Sequence, residues 1–216
     1  MSLKINSFNV RGLGNKTKRD QVFQWLKNES MDIYLLQETH SSSKDVKDWK
    51  HQWGGEAFFS GRSSNSQGVA ILLNPKCTHV IQKYTEIIEG KLQAIEIMID
   101  EKIITIINIY GSNLDDIQDL IQLEKYLNEN DENTFMIGGD FNTALDTKKD
   151  KKNSRSDTHK KCREKIQNIM AIFNLIDVWR VQHPETAKFT WHSNTRPPIF
   201  SRLVFFSNFR KHYKLH

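Results

Sequence analysis

Three apolar stretches of this 216-residue chain are each followed at once by a polar side chain. These side chains are Glu38, Tyr110 and Asp140, and Asn142 lies two residues beyond the last of them. Because loops at one rim of a sheet often hold a functional site, we expect these groups to line one pocket. Mg²⁺ commonly takes one or two protein carboxylates and fills its other positions with water and substrate phosphate. The pattern therefore predicts a metal-dependent centre that cleaves phosphodiester bonds.

Each of these residues has an expected role in that chemistry. A carboxylate that emerges near a core needs a compensating cation, so Glu38 is expected to bind the metal ion. Asp140 is expected to accept a proton from the attacking water, and Asn142 to donate to the oxygens that gain charge. Tyr110 is expected to donate to a phosphate or to orient the nucleophile. Asn9, at the end of the first apolar strand, is expected to hold the water shell of the metal.

The same residues also have ordinary structural interpretations. Glu38 can form a cap or a surface ion pair, and Tyr110 can pack on a rim with its hydroxyl in water. The Gly-Gly-Asp sequence at 138–140 and the nearby Asn142 are also typical of turns and caps. Asn9 can simply begin a turn. The functional interpretation depends on the occurrence of all these groups together at strand ends.

Apolar segments of strand length alternate along the chain with amphipathic segments of helical spacing. Strands are predicted at 3–10, 33–37, 69–73, 92–99, 103–110, 135–139, 176–181, 189–192 and 203–206, and helices from Thr17, at 115–129 and at 159–173. The segments 92–99 and 103–110 are expected to form a hairpin. Hairpins mixed with strand-helix units predict an α/β sandwich of two mostly antiparallel sheets covered by helices. The length is typical of a single domain, residues 1–216.

Composition limits the class of protein. A mean hydropathy of -0.61 and the absence of an apolar run near the ~18 residues of a spanning helix exclude a membrane protein. No signal peptide is visible, so we expect an intracellular protein that is nuclear when it acts on DNA. The formal net charge of +5 favours an acidic partner such as nucleic acid, although dispersed surface lysines give the same charge. The two cysteines, Cys77 and Cys162, have no metal or redox spacing.

A basic segment follows the strand that ends at Asp140. It contains Lys148, Lys149, Lys151, Lys152 and Arg155. Such a cluster can neutralise DNA phosphates without reading the base sequence, and this binding weakens steeply with salt. A solvated loop with no ligand is the alternative. The predicted partner of this segment is DNA.

Taken together, these motifs resemble the endonuclease/exonuclease/phosphatase superfamily, and within it the apurinic-like endonuclease domain of LINE-type (non-LTR) retrotransposon polyproteins. The matching stretches follow the order of the family at 9–13, 36–40, 68–71, 108–113, 138–142, 189–191 and 201–203. The resemblance implies a four-layered, DNase I-like α/β sandwich that nicks DNA with Mg²⁺ or Mn²⁺. It also implies a reverse transcriptase region as a partner in the parent polyprotein.

The resemblance also implies residue roles. They agree with the chemistry above: metal ligand (Glu38), amide beside it (Asn9), phosphate-facing phenol (Tyr110), water-activating acid (Asp140) and oxyanion donor (Asn142). Thr190 and Trp191 match a loop near the DNA, and Arg202 lies in the Ser-Arg-Leu motif that follows. We expect these last three residues to contact DNA.

The chain departs from the pattern of the family near residue 204. Members normally have an aspartate after Ser-Arg-Leu, where this chain has Val204, and no later Ser-Asp-His occurs before His216. Each missing acid-base group typically contributes about 10²–10⁴ in rate, so we expect an impaired nuclease, truncated near 204–216, with its last strands missing or degenerate. Two alternatives stay open. One is a non-catalytic nucleic-acid-binding remnant, and the other is a further phosphoesterase of the same fold, such as an apurinic endonuclease, a deadenylase or a phosphatase.

Overall fold

The computed structural model describes residues 3–29, 31–61, 67–153 and 158–209, with the backbone alone at Phe200 and at 204–209. Its helices are α1 (Lys16–Asn28), α2 (Val46–Trp53), α3 (Gln118–Glu129), α4 (Lys160–Ile172) and α5 (Val178–Gln182). Its strands are β1 (Ile5–Asn9), β2 (Ile33–Gln37), β3 (Ala57–Ser60), β4 (Val69–Leu73), β5 (Ile81–Ile88), β6 (Leu92–Ile99), β7 (Lys102–Tyr110), β8 (Thr134–Asp140), β9 (Lys151–Lys152), β10 (Leu175–Asp177), β11 (Trp191–His192), β12 (Phe200–Ser201) and β13 (Val204–Phe209).

The described strands form two main sheets and one small sheet. The four-stranded sheet has the order β1-β2-β4-β3, and only β1 and β2 pair in parallel there. The six-stranded sheet has the order β10-β13-β8-β7-β6-β5, and only β7 and β8 pair in parallel. The small sheet has the order β11-β12-β9. The predicted pair of mostly antiparallel sheets is confirmed, as is the hairpin of β6 and β7.

Alternation along β2 shows how the layers are built. Ile33 and Leu35 pack in the core between the two main sheets, whereas Tyr34 and Leu36 pack in a second core under α1 and α2. Successive side chains of a strand point to opposite faces, so a strand buried on both faces reads as one continuous apolar run. A third core lies between the six-stranded sheet and the helices α3 and α4. The result is four layers, with helices outside both sheets.

A pair of buried amides joins the two sheets close to the predicted strand ends. Gln37 Nε2 donates to Asn108 Oδ1 at 2.8 Å, and both side chains are fully buried. Asn108 Nδ2 in turn donates to the carbonyl oxygens of Leu36 and Ala70, each at 2.9 Å. Buried polar groups that are fully hydrogen-bonded specify one arrangement of the elements around them. The amides therefore fix β7 against β2 beside the residues that follow both strands.

Two local predictions are wrong, and capping explains both. Segment 176–181 was predicted as a strand, but the chain leaves β10 at Asp177, whose Oδ1 accepts a hydrogen bond from the Arg180 N–H at 3.1 Å and caps α5. Helix α1 begins before Thr17, because Asn15 is its N-cap and accepts from the Lys18 N–H at 2.9 Å.

The sequence after Leu203 forms the six-residue strand β13 between β8 and β10. None of the helices in the described part of the chain is long and apolar enough to cross a bilayer.

Candidate active site

Asn9, the last residue of β1, joins two carboxylates that come from different sheets. Its Nδ2 donates to Glu38 Oε1 at 2.9 Å and to Asp140 Oδ2 at 3.0 Å. The Asn9 Oδ1 atom accepts from the Arg11 N–H at 3.1 Å, which orients the amide so that its nitrogen faces both acids. Glu38 directly follows β2 and Asp140 ends β8, so the two sheets meet at this amide. The structure thus brings together three of the predicted site residues.

Tyr110, the last residue of β7, belongs to the same cluster. Its hydroxyl donates to Glu38 Oε1 at 3.0 Å. Burial and the negative charge of Glu38 raise the pKa of Tyr110 to about 12, so the phenol keeps its proton at neutral pH. The hydrogen bond to Glu38 makes Tyr110 a group that orients this carboxylate, in addition to the phosphate-facing role predicted from the sequence.

The donor set around Glu38 suits a divalent ion of the Mg²⁺ type. Its Oε1 atom accepts two hydrogen bonds, whereas Oε2 accepts none from the described residues. Mg²⁺ needs only one or two carboxylate ligands, and Asp140 lies within reach of the same amide as Glu38. Across the described ranges, no group of three or more His, Cys, Asp or Glu side chains converges as a zinc site would require. The residues present therefore fit Mg²⁺ or Mn²⁺.

Asp140 is a buried carboxylate with a raised pKa. Only 6% of the residue is exposed. Burial raises the pKa of Asp140 above its ordinary value, and the hydrogen bonds from the Asn9 amide and from the Asn142 N–H, at 3.0 Å to Oδ1, partly oppose this. The nearby charge of Glu38 raises it further. A carboxylate with a raised pKa accepts a proton from water more readily than an ordinary one does.

Asn142 lies at the start of the loop after β8 and has a φ of 51°, in the left-handed region. Its Nδ2 donates to the Gly111 carbonyl oxygen at 2.8 Å, and the Gly111 N–H donates to the Asp140 carbonyl oxygen at 2.7 Å. A primary amide carries two N–H donors, so Asn142 keeps one for an oxygen in the pocket. The turns after β7 and β8 thus hold this amide in place.

Four of the predicted site residues, Asn9, Glu38, Asp140 and Asn142, line a cavity of about 880 Å³ between the two sheets and the β11–β12 hairpin, and Tyr110 contacts its wall through the hydrogen bond to Glu38. Its walls include the following residues: Asn9, Arg11, Lys18, Glu38, Asn113, Asp140, Asn142, Thr190, Trp191, His192 and Asn194. Both acidic and basic groups therefore face the same space. A cavity of this size and polarity can hold a phosphate with its flanking sugars.

The hairpin residues predicted to contact DNA lie at this cavity. Trp191 is 38% exposed and also lines a second cavity of about 370 Å³, which contains Lys151. Thr190 Oγ1 accepts from the Leu203 N–H at 2.9 Å, and the Leu203 carbonyl oxygen accepts from the Phe141 N–H at 2.9 Å. This chain of bonds ties the base of the hairpin to the end of β8. An exposed tryptophan beside a polar cavity can stack on a nucleobase.

The basic residues of the predicted DNA-binding segment differ in their surroundings. Lys148 and Lys152 are exposed. Lys151 is half-buried beside the second cavity, and Lys149 forms an ion pair with the segment after α5 at 2.8 Å. Arg155 lies outside the described residues. Two of the lysines are thus free to meet a phosphate backbone without any rearrangement.

Arg202 is placed differently from the prediction that it contacts DNA. It is only 3% exposed, and it donates to both carboxylate oxygens of Asp150, at 2.9 and 3.1 Å, and to Asp177 at 3.3 Å. Arg180 also donates to Asp150, and the Arg202 guanidinium lies 5.2 Å from the ring centre of Trp179. These bonds occupy the guanidinium inside the protein, because a buried charge requires compensating partners. The geometry favours a role for Arg202 in holding the small sheet on the six-stranded sheet.

The sequence interpretation did not select several residues that shape this site. Arg11 and Lys18 line the cavity, although only their neighbour Asn9 was selected. Gln37 and Asn108 interrupt apolar strands one and two residues before predicted site residues. A polar residue inside such a strand is a usable signal, because it must find a partner when it is buried.

Comparisons with known proteins agree with this geometry. The model of the family described as Endonuclease/Exonuclease/phosphatase family matches residues 6–208. The Transposon TX1 uncharacterized 149 kDa protein of Xenopus laevis is 28% identical over 194 residues, which cover 88% of this chain and 15% of that protein. The chain therefore spans less than a fifth of the length of this curated relative.

Solved structures show the same fold. An AP endonuclease from Archaeoglobus fulgidus matches with a TM-score of 0.76 and 23% identity, covering 95% of this chain and 86% of the other. The 3′ phosphatase NExo from Neisseria, bound to a product DNA hairpin, matches with a TM-score of 0.73 and 20% identity, covering 97% and 87%. An AP endonuclease from Leishmania major matches with a TM-score of 0.76 and 17% identity, covering 96% and 79%. At these identities the likeness is one of fold, which is that of DNase I-like enzymes.

Proposed function

Since this chain belongs to the endonuclease/exonuclease/phosphatase family, we propose that it nicks DNA with a divalent metal ion, as a retrotransposon-type endonuclease. One observation carries the proposal: the amide of Asn9 holds the carboxylates of Glu38 and Asp140 together in an open polar cavity. Family membership supports hydrolysis of phosphoesters in general. The transposon relative favours DNA as the substrate among the phosphoesters that this fold accommodates.

In the proposed reaction, water attacks phosphorus in line with the P–O bond that breaks, and the leaving oxygen takes a proton from solvent. Asp140 accepts the proton of the attacking water, which its raised pKa favours. Asn142 donates to the phosphate oxygens as they gain charge. Tyr110 keeps the Glu38 carboxylate oriented. A Mg²⁺ or Mn²⁺ ion would be held by Glu38, whose carboxylate Asn9 orients through its Nδ2 donor, and it would supply a Lewis acid that stabilises charge on the phosphate.

Charge and shape support DNA as the partner. The exposed Lys148 and Lys152 can neutralise phosphates beyond the cavity, and Trp191 can stack on a base. The relative is a 149 kDa protein of which the match covers 15%, which supports the proposal that this chain is one domain, 1–216, of a longer polyprotein. A reverse transcriptase region in that polyprotein is proposed on the resemblance of the motifs alone. Binding of this kind does not require any membrane contact.

We further propose that this copy nicks slowly. Val204 pairs with Asp140 across β13 and β8, at the position where the family has an aspartate. A hydrocarbon side chain cannot accept a hydrogen bond or carry charge there, so the rate falls by about 10²–10⁴ relative to a chain with the acid. The same substitution favours a second candidate function, that of a nucleic-acid-binding module without catalysis.

A supercoiled-plasmid nicking assay tests the proposal. We expect conversion to open circles with Mg²⁺, none with EDTA, and a loss of at least about 10²-fold in Asp140→Asn and Glu38→Gln. The matched control is Glu129→Gln, which removes an exposed carboxylate at the end of α3 that does not line the cavity and is expected to leave the rate unchanged. Nicking that is strong in all three variants would contradict the site assignment.

A gain-of-function variant separates the two candidate functions. Val204→Asp is expected to raise the nicking rate at least about 10²-fold if the metal-dependent centre is otherwise intact. If Val204→Asp and the unmodified chain bind DNA with the same salt dependence and neither nicks, the non-catalytic binding module is the correct function.

A further inference from the structure

Lys18 is a cation that enters the wall of the catalytic cavity from the first turn of α1. Its Nζ donates to the carbonyl oxygens of Val10 at 2.7 Å and of Arg11 at 2.8 Å. The backbone of Lys18, from which this side chain extends, is held in place, because Asn15 caps the helix by accepting a hydrogen bond from the Lys18 N–H at 2.9 Å. One ammonium group therefore clamps two successive carbonyl groups of the turn that follows β1.

That turn determines where the Asn9 amide points. Arg11 has a φ of 48°, a conformation that is strained in a residue other than glycine and persists only where its surroundings enforce it. In this conformation the Arg11 N–H reaches Asn9 Oδ1 at 3.1 Å. The next residue is tied to the neighbouring loop, because the Gly12 N–H donates to the Glu38 carbonyl oxygen at 2.6 Å.

A continuous chain of short contacts thus leads from Lys18 to both catalytic carboxylates. The ammonium holds the Arg11 carbonyl group, the Arg11 N–H holds the Asn9 oxygen, and the Asn9 nitrogen holds Glu38 and Asp140. The charge of Lys18 also matters for this arrangement, since hydrogen bonds from a charged donor are about twice as strong as neutral ones. A neutral side chain at this position leaves both carbonyl groups without the clamp.

We propose that Lys18 is a positioning residue of the catalytic centre, which holds the turn after β1 so that Asn9 binds both carboxylates. The effect on catalysis rests on the proposed nuclease function, whereas the effect on Asn9 does not. A direct contact between Lys18 and a DNA phosphate is the competing role. The two roles predict different changes in kcat and KM.

Spectroscopy tests the positioning of Asn9 without any need for activity. The full chain is labelled with ¹⁵N-asparagine, and the side-chain signals of Asn9 are identified by their loss in Asn9→Ser. In Lys18→Met we expect these signals to shift and their exchange with solvent to rise at least about tenfold, because the amide is no longer held. Lys16→Met removes an exposed lysine from the same helical turn and is expected to leave the signals in place.

Kinetics on supercoiled DNA test the consequence. Lys18→Met is expected to lower kcat at least about tenfold while the KM for DNA stays within about twofold, because positioning acts on the reacting state and not on DNA binding. Lys18→Arg keeps the charge and the donors and is expected to restore kcat to within about threefold. Lys16→Met is expected to match the unmodified chain in both constants.

The outcomes are distinct. Wild-type Asn9 signals in folded Lys18→Met overturn the proposal, and so does a raised KM with unchanged kcat, which indicates a phosphate contact. If the apolar variant does not fold, as judged by circular dichroism, Lys18→Gln gives the same comparison with a neutral polar side chain. If the unmodified chain does not nick DNA, the proposed function fails, and the Asn9 signals still decide the role of Lys18.

Discussion

Replacing Asp150 with asparagine is expected to destabilise the fold strongly, because Asp150 is the centre of a buried ionic cluster. The residue is 0% exposed. Its carboxylate accepts two hydrogen bonds from Arg202, one from Arg180 and one from the Asp146 N–H at 3.1 Å. The amide of asparagine has no charge, and its NH₂ group faces a guanidinium where an oxygen accepted a hydrogen bond. The variant therefore leaves Arg202 paired with the carboxylate of Asp177, while the Arg180 guanidinium keeps hydrogen bonds to backbone carbonyl oxygens.

The expected magnitude follows from burial. Removing one partner of a buried ion pair costs about 3–5 kcal/mol, because the charge that remains is desolvated and uncompensated. A domain of ordinary stability unfolds with a free energy of about 5–15 kcal/mol, so this loss is a large fraction of the total. The matched control is Glu185→Gln. Its ion pair with Lys149 is largely exposed, with 82% of the Glu185 side chain accessible, and its loss changes the stability by less than about 1 kcal/mol.

The pH dependence has a definite sign. Burial alone raises the pKa of Asp150, but the hydrogen bonds and charges of Arg202, together with Arg180, outweigh it and hold the pKa below its ordinary value. A depressed pKa in the folded state stabilises the protein above the unfolded value of about 3.9, and this stabilisation is lost as the pH falls through the folded pKa. The difference between the wild-type chain and Asp150→Asn is therefore constant from about pH 5 to 8 and narrows below about pH 4.

Urea unfolding followed by tryptophan fluorescence measures these free energies at each pH. Two results refute the reasoning. One is a loss of less than about 1 kcal/mol in Asp150→Asn at pH 7, and the other is a difference from the wild-type chain that widens as the pH falls. A double-mutant cycle with Arg202→Met adds a check, since the coupling energy between two residues in contact is expected to exceed about 1 kcal/mol.

Three further predictions concern the site and its frame. Burial and the charge of Glu38 raise the pKa of Tyr110 to about 12, so its phenol stays protonated up to about pH 10. Tyr110→Phe is therefore expected to lower the nicking rate about tenfold and to leave the shape of the pH–rate profile unchanged below pH 10. A change in the shape of that profile below pH 10 would contradict this. Gly139→Ala is expected to lower the free energy of unfolding in urea by several kcal/mol, because a Cβ atom would lie 2.0 Å from the Ile109 carbonyl oxygen and Gly139 has a φ of 141°. A decrease below about 1 kcal/mol would show that β7 and β8 separate easily. Trp191→Ala is expected to weaken DNA binding about tenfold with an unchanged salt slope, since stacking is uncharged, whereas Lys152→Ala should reduce the slope by about one in titrations at several salt concentrations.

The strand ends that carry the site were predictable from the sequence, because burial on both faces leaves a clear apolar run. β2 and β7 end at the predicted residues, and β1 and β8 end within one residue of them. The polar residue after each run then marks the rim of a sheet. The resemblance added the order of the motifs, and the match of the family model to residues 6–208 confirms that part.

Long-range polar pairing could not be predicted in the same way. Arg202 has the residue type of a DNA contact, and its burial depends on Asp150 and Asp177, which approach it from different parts of the chain. The amide bridge between Gln37 and Asn108 likewise joins residues 71 positions apart. Such partners become visible only once the sheets are packed, because no local pattern encodes the distance between them.

The division of the candidate centre between the two sheets ties its chemistry to the integrity of the whole sandwich. Asn9 and Glu38 come from the half of the chain that builds the four-stranded sheet, while Tyr110 and Asp140 come from the half that builds the other. Neither half alone contains a complete set of reactive groups. A substitution in the core between the two sheets, remote from any substrate, therefore changes turnover by changing how one sheet packs on the other. Loss of nicking in such a variant indicates that the reactive groups are present but displaced relative to one another.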